Sequence, residues 1–241
     1  MGDLMKTSPA LVVALDFPET AQALSLASRL QGVVPWVKVG LELYLSAGQE
    51  LIAQLKDMGF QVFLDLKFMD IPNTVQAATA QATRMGADML TIHALGGRAM
   101  CEAAAAGRDQ GLAPGQTPPS ILAVTLLTSL GPKDLAWNPD ATDGNLRDLA
   151  VHLARSAQNW KLDGVVCSGK EVRVIRQACG AYFQLLTPGI RLPDADSGDQ
   201  SRVCTPAQAA LDGSDYLVVG RPITRSDNPV QAARDYLKTI T

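Results

Sequence analysis

Eight short apolar runs recur along the 241-residue chain, and a stretch of helical character follows each of them. The runs cover residues 11–15, 36–40, 62–66, 89–92, 122–126, 164–167, 183–186 and 216–219. The intervening segments, such as 21–30 and 146–160, repeat apolar residues with the 3.6-residue rhythm of an amphipathic helix. Gly59, Gly86 and Gly213 punctuate the passage from helix back to strand. Eight strand–helix units in this length fit a closed parallel (β/α)8 barrel better than an open doubly wound sheet. No linker, charge block or low-complexity segment divides the chain, so residues 1–241 are read as one barrel domain. The Pro- and Gly-rich stretch 111–120 is read as the loop into the fifth strand.

Composition narrows the class. Hydrophobic residues make up 47% and charged residues 19%, which suits a soluble globular core. The net charge of −3 argues against a nucleic-acid partner, which selects for a basic excess, but leaves room for a small phosphorylated ligand. The first ten residues lack the apolar core of a signal peptide. No stretch approaches the roughly 18 apolar residues of a membrane span. Cys101, Cys167, Cys179 and Cys204 are scattered without a CxxC pair, so neither a disulfide framework nor a zinc site is expected. These features predict a cytoplasmic protein.

A barrel carries its chemistry at the C-terminal ends of its strands, and there the sequence places charges inside or beside apolar runs. The first strand ends in Leu15-Asp16, the second holds Lys38 between Val37 and Val39, and the third runs Phe63-Leu64-Asp65-Leu66-Lys67. Side chains on a strand alternate, so Asp65 and Lys67 share one face and Leu64 and Leu66 the other. In a barrel with helices outside, the charged face points inward. Lone inward charges would be costly, so Asp65 and Lys67 are expected to offset one another, with Lys38 close by. Asp70 follows, ahead of Ile71-Pro72, on a loop over the mouth; Pro72 suits the first turn of a helix. The result is an expected alternating array of Lys38, Asp65, Lys67 and Asp70. Such an array stabilises a fold poorly, because buried pairs often do no better than apolar packing, so it points to function.

The far side of the mouth has the chemistry of an anion site. Thr187-Pro188-Gly189-Ile190-Arg191 follows the seventh strand, then a long polar stretch to Arg202 that reads as a lid. Val218-Val219-Gly220-Arg221-Pro222-Ile223-Thr224 spans the end of the eighth. Loops after strands 7 and 8 form the usual phosphate site of such barrels. Gly220 would let backbone N–H groups approach an anion, and Arg221 would supply charge-assisted hydrogen bonds.

The run from Asp65 to Thr74, DLKFMDIPNT, resembles the signature of the orotidine 5′-phosphate decarboxylase family. The DxKxxD core is shared with metal-dependent sugar-phosphate decarboxylases such as 3-keto-L-gulonate 6-phosphate decarboxylase, whereas the DIPNT extension is narrower. Further segments resemble the family across nearly the whole chain: ALDF at 14–17, KVG at 38–40, VTLLTS at 124–129, DGVVCS at 163–168, TPGIR at 187–191, GDQ at 198–200 and VVGRPIT at 218–224. The metal-dependent relatives are expected to carry an acidic ligand one strand before the core, where this chain offers Lys38.

The resemblance implies decarboxylation of orotidine 5′-phosphate to uridine 5′-phosphate without metal or organic cofactor, at the end of de novo pyrimidine synthesis. It implies that Lys67 protonates C6 of the pyrimidine and that Asp65 lies beside the departing carboxylate. Lys38 and Asp70 would complete the array and touch ribose hydroxyls. Asp70, and with it Thr74, would do so in the neighbouring site of a homodimer. Asp16 would hold the ribose, and Thr128 and Ser129 would lie against the base. Arg191, Gln200, Gly220 and Arg221 would grip the phosphate, with Gln200 on the lid. The alternatives are a metal-dependent sugar-phosphate decarboxylase and a nucleotide-binding barrel without chemistry.

The reaction explains the residue types. Loss of CO2 leaves an electron pair in an sp2 orbital at C6, with no carbonyl placed to delocalise it. A fixed ammonium both stabilises that charge and delivers the proton. Repulsion between Asp65 and the substrate carboxylate would contribute about 4 kcal/mol at roughly 4 Å and an effective dielectric near 20. Large rate enhancements need up to about 23 kcal/mol, so the larger share falls to Lys67 and a preorganised site. His93, after the fourth strand, is read as a hydrogen-bonded supporting residue and His152 as structural or exposed. Trp36, Trp137 and Trp160 are too dispersed for a base-stacking platform and are read as packing residues.

Overall fold

The computed structural model describes residues 8–134, 142–193 and 204–240. Eight parallel strands close on themselves in sequence order, β1 pairing with both β2 and β8. The strands are β1 Ala10–Ala14, β2 Trp36–Gly40, β3 Gln61–Phe68, β4 Met89–His93, β5 Ser120–Val124, β6 Gly164–Val166, β7 Gln184–Thr187 and β8 Tyr216–Val219. Around them run α1 Thr20–Leu30, α2 Leu41–Ala47, α3 Glu50–Asp57, α4 Pro72–Arg84, α5 Gly97–Gly111, α6 Asp143–Asn159, α7 Val172–Cys179, α8 Pro206–Asp212, α9 Arg221–Thr224 and α10 Pro229–Lys238. The eight expected strands are all present. The helical layer is richer than one helix per strand, because two helices follow β2 and two follow β8.

Period-two alternation divides the core in two. Val12, Ala14, Trp36, Phe63, Met89, Leu122, Val124, Val166, Leu186 and Val218 fill the barrel interior. Leu11, Val13, Val37, Val39, Val62, Leu64, Leu90 and Ile92 face the helices instead. Trp36 and Tyr216 meet edge to face inside the barrel, with centroids 5.4 Å apart. Their burial against interior apolar groups supports the packing role read for Trp36. The same parity turns Lys38, Asp65 and Thr91 inward, two residues beyond Trp36, Phe63 and Met89 respectively.

The helix-to-strand turns use glycine as the sequence suggests: Gly59, Gly86 and Gly213 have φ of 86°, 83° and 105°. Elsewhere glycine serves close approach. A Cβ on Gly107 would sit 2.2 Å from the carbonyl oxygen of Gln76, and one on Gly111 would sit 2.5 Å from that of Ala80. These two residues let α5 close against α4, the helix that begins directly after the Asp70 loop.

The opposite, N-terminal rim is held by a repeated device. Asp88, Asp163 and Asp215 each precede an even-numbered strand. Each carboxylate accepts the backbone N–H of the strand before it: Val62 at 2.7 Å, Ile121 at 2.8 Å and Leu185 at 2.7 Å. Each also pairs with a cation from the helix that leads into that earlier strand: Lys56 at 2.6 Å, Arg108 at 2.9 Å and Arg176 at 2.6 Å. The first strand of each pair is thereby tied to the second and to the helix that leads into the first.

Candidate active site

β3 is the irregular strand of the barrel, and the irregularity falls on the residues the sequence singles out. Against β4, Leu64 pairs with Leu90 but Phe68 pairs with Ile92. Four steps along β3 therefore match two along β4, which is a bulge enclosing Asp65, Leu66 and Lys67. Lys67 has φ 52°, one of two non-glycine residues with positive φ among the described residues. That conformation costs about 1–3 kcal/mol and persists only where the surroundings impose it, typically at functional sites. Simple alternation reaches the right outcome for Asp65 and Lys67, but the backbone achieves it through a bulge.

The charges form a chain around the mouth. The Lys67 ammonium donates to Asp65 Oδ1 at 2.8 Å. Lys38 lies 3.5 Å from Asp65 Oδ2 and donates to Asp16 Oδ1 at 2.9 Å. Lys38 and Asp65 are buried, Lys67 is half-buried and Asp16 is exposed. Burial alone would push the Lys38 pKa down, but Asp65 and then Asp16 more than offset it, and the pKa is raised. Burial alone would push the Asp65 carboxyl up. The charges of Lys38 and Lys67, with hydrogen bonds from Lys67 and Thr91, hold it below the usual carboxylate range instead. Both groups are therefore charged at neutral pH.

Within the protomer Asp70 stands apart from Lys38, Asp65 and Lys67. It is exposed, and its Oδ1 accepts the backbone N–H of Ile71 at 2.6 Å. Among the described residues it forms no ion pair, whereas Asp16 pairs with Lys38. The reason is geometric: Asp70 lies beyond the end of β3 on a loop leading outward into α4, whereas Asp16 directly follows β1, the neighbour of β2. Thr74 is exposed in the first turn of α4.

A cavity of about 300 Å³ opens over the array. Lys38, Asp65 and Lys67 line one side and Thr128 and Ser129 another, with Phe63, Val166, Leu186 and Val218 as an apolar floor. Beyond β8, Gly220 stands beside Asp16: a Cβ there would be 3.7 Å from Asp16 Oδ2. Arg221 begins α9 directly after it. Arg191 follows β7, buried, and its guanidinium donates to the carbonyl of Ile190 at 2.9 Å. Gln200 and most of the expected lid lie outside the described residues, as does Trp137. A more open groove of about 650 Å³ lies between α6 and α7, lined by Arg147, Asp148 and Arg155 among others, and no reactive constellation faces it.

His93 ends β4, half-buried, and among the described residues its ring has no hydrogen-bond partner, so the hydrogen-bonded role read from sequence is not met there. Its pKa is lowered, first by burial and then by the nearby Lys67 charge, against an opposing contribution from Asp65. His152 is exposed on α6. The residue that sequence reading passed over is Thr91. Its hydroxyl donates to Asp65 Oδ1 at 2.9 Å and accepts the backbone N–H of Lys67 at 3.0 Å. Strand parity alone, Met89-Thr91-His93 on the inner face, was the signal that could have found it.

Residues 9–236 match the family described as orotidine 5′-phosphate decarboxylase / HUMPS. The chain belongs to this family. A relative from Maridesulfovibrio salexigens named orotidine 5′-phosphate decarboxylase is 52% identical over 224 residues, covering 93% of this chain and 95% of that one. Another of that name, from Nitratidesulfovibrio vulgaris strain DP4, is 50% identical over 93% of this chain and 94% of its own length. A crystal structure of orotidine 5′-phosphate decarboxylase from Lactobacillus acidophilus superposes with a TM-score of 0.85 at 36% identity, covering 97% of this chain and 99% of that one. Family membership and the closed barrel agree, and the Asp65/Lys67 pair lies within the matched region.

Proposed function

We propose that this chain decarboxylates orotidine 5′-phosphate to uridine 5′-phosphate and CO2, as a cofactor-independent carboxy-lyase of pyrimidine nucleotide synthesis, with Lys67 as the proton donor to C6. The observation that carries the reading is the Lys67 ammonium held 2.8 Å from a buried, ionised Asp65 at the edge of a closed-bottomed cavity.

With the pyrimidine in the cavity, Thr128 and Ser129 face the base and the Asp65 carboxylate meets the departing carboxylate. As the C6–CO2 bond breaks, its electron pair stays on C6, and Lys67 transfers a proton there. Lys38 keeps Asp65 ionised and, with Asp16, reaches the ribose hydroxyls. The apolar floor excludes water, so the fixed charges act with little screening. Gly220 and Arg221 receive the phosphate, with Arg191 and Gln200 completing its grip. Phosphate binding supplies energy far from the reacting carbon that holds the base against the array.

The site is completed by a second copy of the chain. Leu41, Met69, Ile71 and Leu95 are 53%, 54%, 67% and 48% exposed, and all follow the ends of neighbouring strands β2, β3 and β4. Burial of such a patch in a homodimer would offset its hydration cost. It would also carry Asp70 and Thr74, which flank the patch, towards the partner's cavity. No described helix is long and apolar enough to cross a membrane, and the four cysteines are free thiols. Both suit work on a soluble nucleotide in the cytoplasm.

The test is to follow the loss of orotidine 5′-phosphate absorbance with excess EDTA present. Turnover unaffected by the chelator is expected. Activity only on sugar phosphates and only with added metal, or nucleotide binding with no turnover, would overturn the reading.

A further inference from the structure

Thr91 does not itself line the cavity, yet its hydroxyl is bonded to both members of the reacting pair. It is fully buried on β4. Its single proton goes to Asp65 Oδ1, the same oxygen that accepts the Lys67 ammonium. Its oxygen accepts the Lys67 backbone N–H. A closed ring results: Thr91 Oγ1, Asp65 Oδ1, Lys67 Nζ, and the Lys67 side chain and backbone returning to Thr91. The bulge explains the need for it. Between Leu64 and Phe68 regular pairing with β4 is lost, and at Lys67 the backbone donor finds a side chain instead. Nothing intrinsic to lysine favours φ 52°, so the conformation that aims its side chain must be imposed from outside. A hydroxyl can donate to a carboxylate and accept from an amide with one atom; valine, of the same shape, can do neither.

We infer that Thr91 is a positioning residue for the decarboxylation: its hydroxyl holds the β3 bulge so that the Lys67 ammonium and the Asp65 carboxylate keep the separation proton delivery requires. The inference rests on Lys67 being the proton donor. It places in β4 a determinant of rate that substrate never touches, and it separates rate from affinity, since the phosphate and ribose contacts lie on other strands.

The experiment compares Thr91→Val and Thr91→Ser with the parent chain and with Lys67→Ala. Folded sites are counted by the stoichiometry of uridine 5′-phosphate binding, so that loss of fold is not mistaken for loss of rate. Thr91→Val is expected to lower kcat per site by about 100-fold, the cost of roughly 1 Å of misplacement at a reacting centre. KM and uridine 5′-phosphate affinity should stay within about threefold, and Thr91→Ser should recover kcat to within about fivefold of the parent. A Thr91→Val kcat near that of the parent, or a Thr91→Ser variant as slow as Thr91→Val, overturns the inference. Lys67→Ala separates the two readings. If it keeps turnover, the proton-donor assignment fails; if it is inactive while Thr91→Val is fast, only the positioning role fails. Should Thr91→Val not fold, Thr91→Ser against Thr91→Ala decides: a fast Ser and a slow Ala support the role, and equal rates overturn it.

Discussion

The two rims of the barrel use the same residue types for opposite ends. At the N-terminal rim, Asp88, Asp163 and Asp215 each combine one backbone N–H with one helix cation. At the C-terminal mouth, Asp16, Lys38, Asp65 and Lys67 bond mainly to one another, from three neighbouring strands, under an open cavity. The lower pairs tie strand to helix and satisfy backbone donors, which is structural work. The upper charges tie side chain to side chain, leave an ammonium facing open space, and sit on a backbone held in an unfavourable conformation. An ion pair is therefore informative through what else its atoms satisfy. Carboxylates that cap backbone donors hold a fold, whereas those that hold chiefly other side-chain charges at a cavity wall prepare a reaction.

The contrast breaks most sharply at Lys67. Lys67→Ala should cut kcat/KM by at least about 10⁴-fold, combining loss of acid catalysis with loss of carbanion stabilisation. The melting temperature should change by no more than a few degrees, as read by calorimetry beside steady-state rates. A large loss of stability with little loss of rate would place Lys67 with the lower rim.

Asp215→Ala should do the reverse. It removes the partner of the Leu185 N–H and one acceptor of Arg176, whose guanidinium also donates to the carbonyls of Gly180, Ala181, Phe183 and Gly213. The cost should be about 2 kcal/mol, in the range for hydrogen bonds to charged groups, or a fall of about 4–8 °C for a chain of this size. kcat/KM at 25 °C should stay within about twofold of the parent, since Asp215 precedes β8 at the rim opposite the cavity.

A pH series sharpens the comparison from the mouth alone. The depressed Asp65 pKa means its contribution is present above the unfolded value of about 4 and is lost as pH falls through the lower folded value. The raised Lys38 pKa means its contribution is present below about 10.4 and is lost as pH rises through the higher folded value. The pair should therefore add no slope to stability between about pH 5 and pH 9. Denaturant midpoints of the parent and of a Lys38→Met variant, compared across that window, should differ by a constant amount; a difference that changes with pH would contradict the assigned charges. The smallest effect belongs to neither rim. Arg98 and Glu102 pair in the open on α5, one turn apart, and Arg98→Ala should cost under about 0.5 kcal/mol in a urea titration.

Much of this was legible in the amino-acid order. Strand and helix periods specify which side chains can share a face, and a run of eight strand–helix units leaves few ways to bury all the apolar faces. That is why β2 and β8 lie at the residues expected and the other strands within a few residues of them. Strand parity also sufficed to send Lys38 and Asp65 into the barrel. The sequence was silent on the backbone of Lys67, because lysine has no preference for a left-handed conformation and nothing local announces a bulge. It did not mark Thr91 either, since a threonine in a strand is ordinary until its neighbours are known. The pairing of Asp16 with Lys38, and the lower-rim ties between Asp163 and Arg108 or Asp215 and Arg176, depend on distances between residues far apart along the chain. Local periodicity determines the elements and their faces. Which charges meet, and at what separation, is decided only when the barrel closes, because closure sets the stagger of each strand against the next.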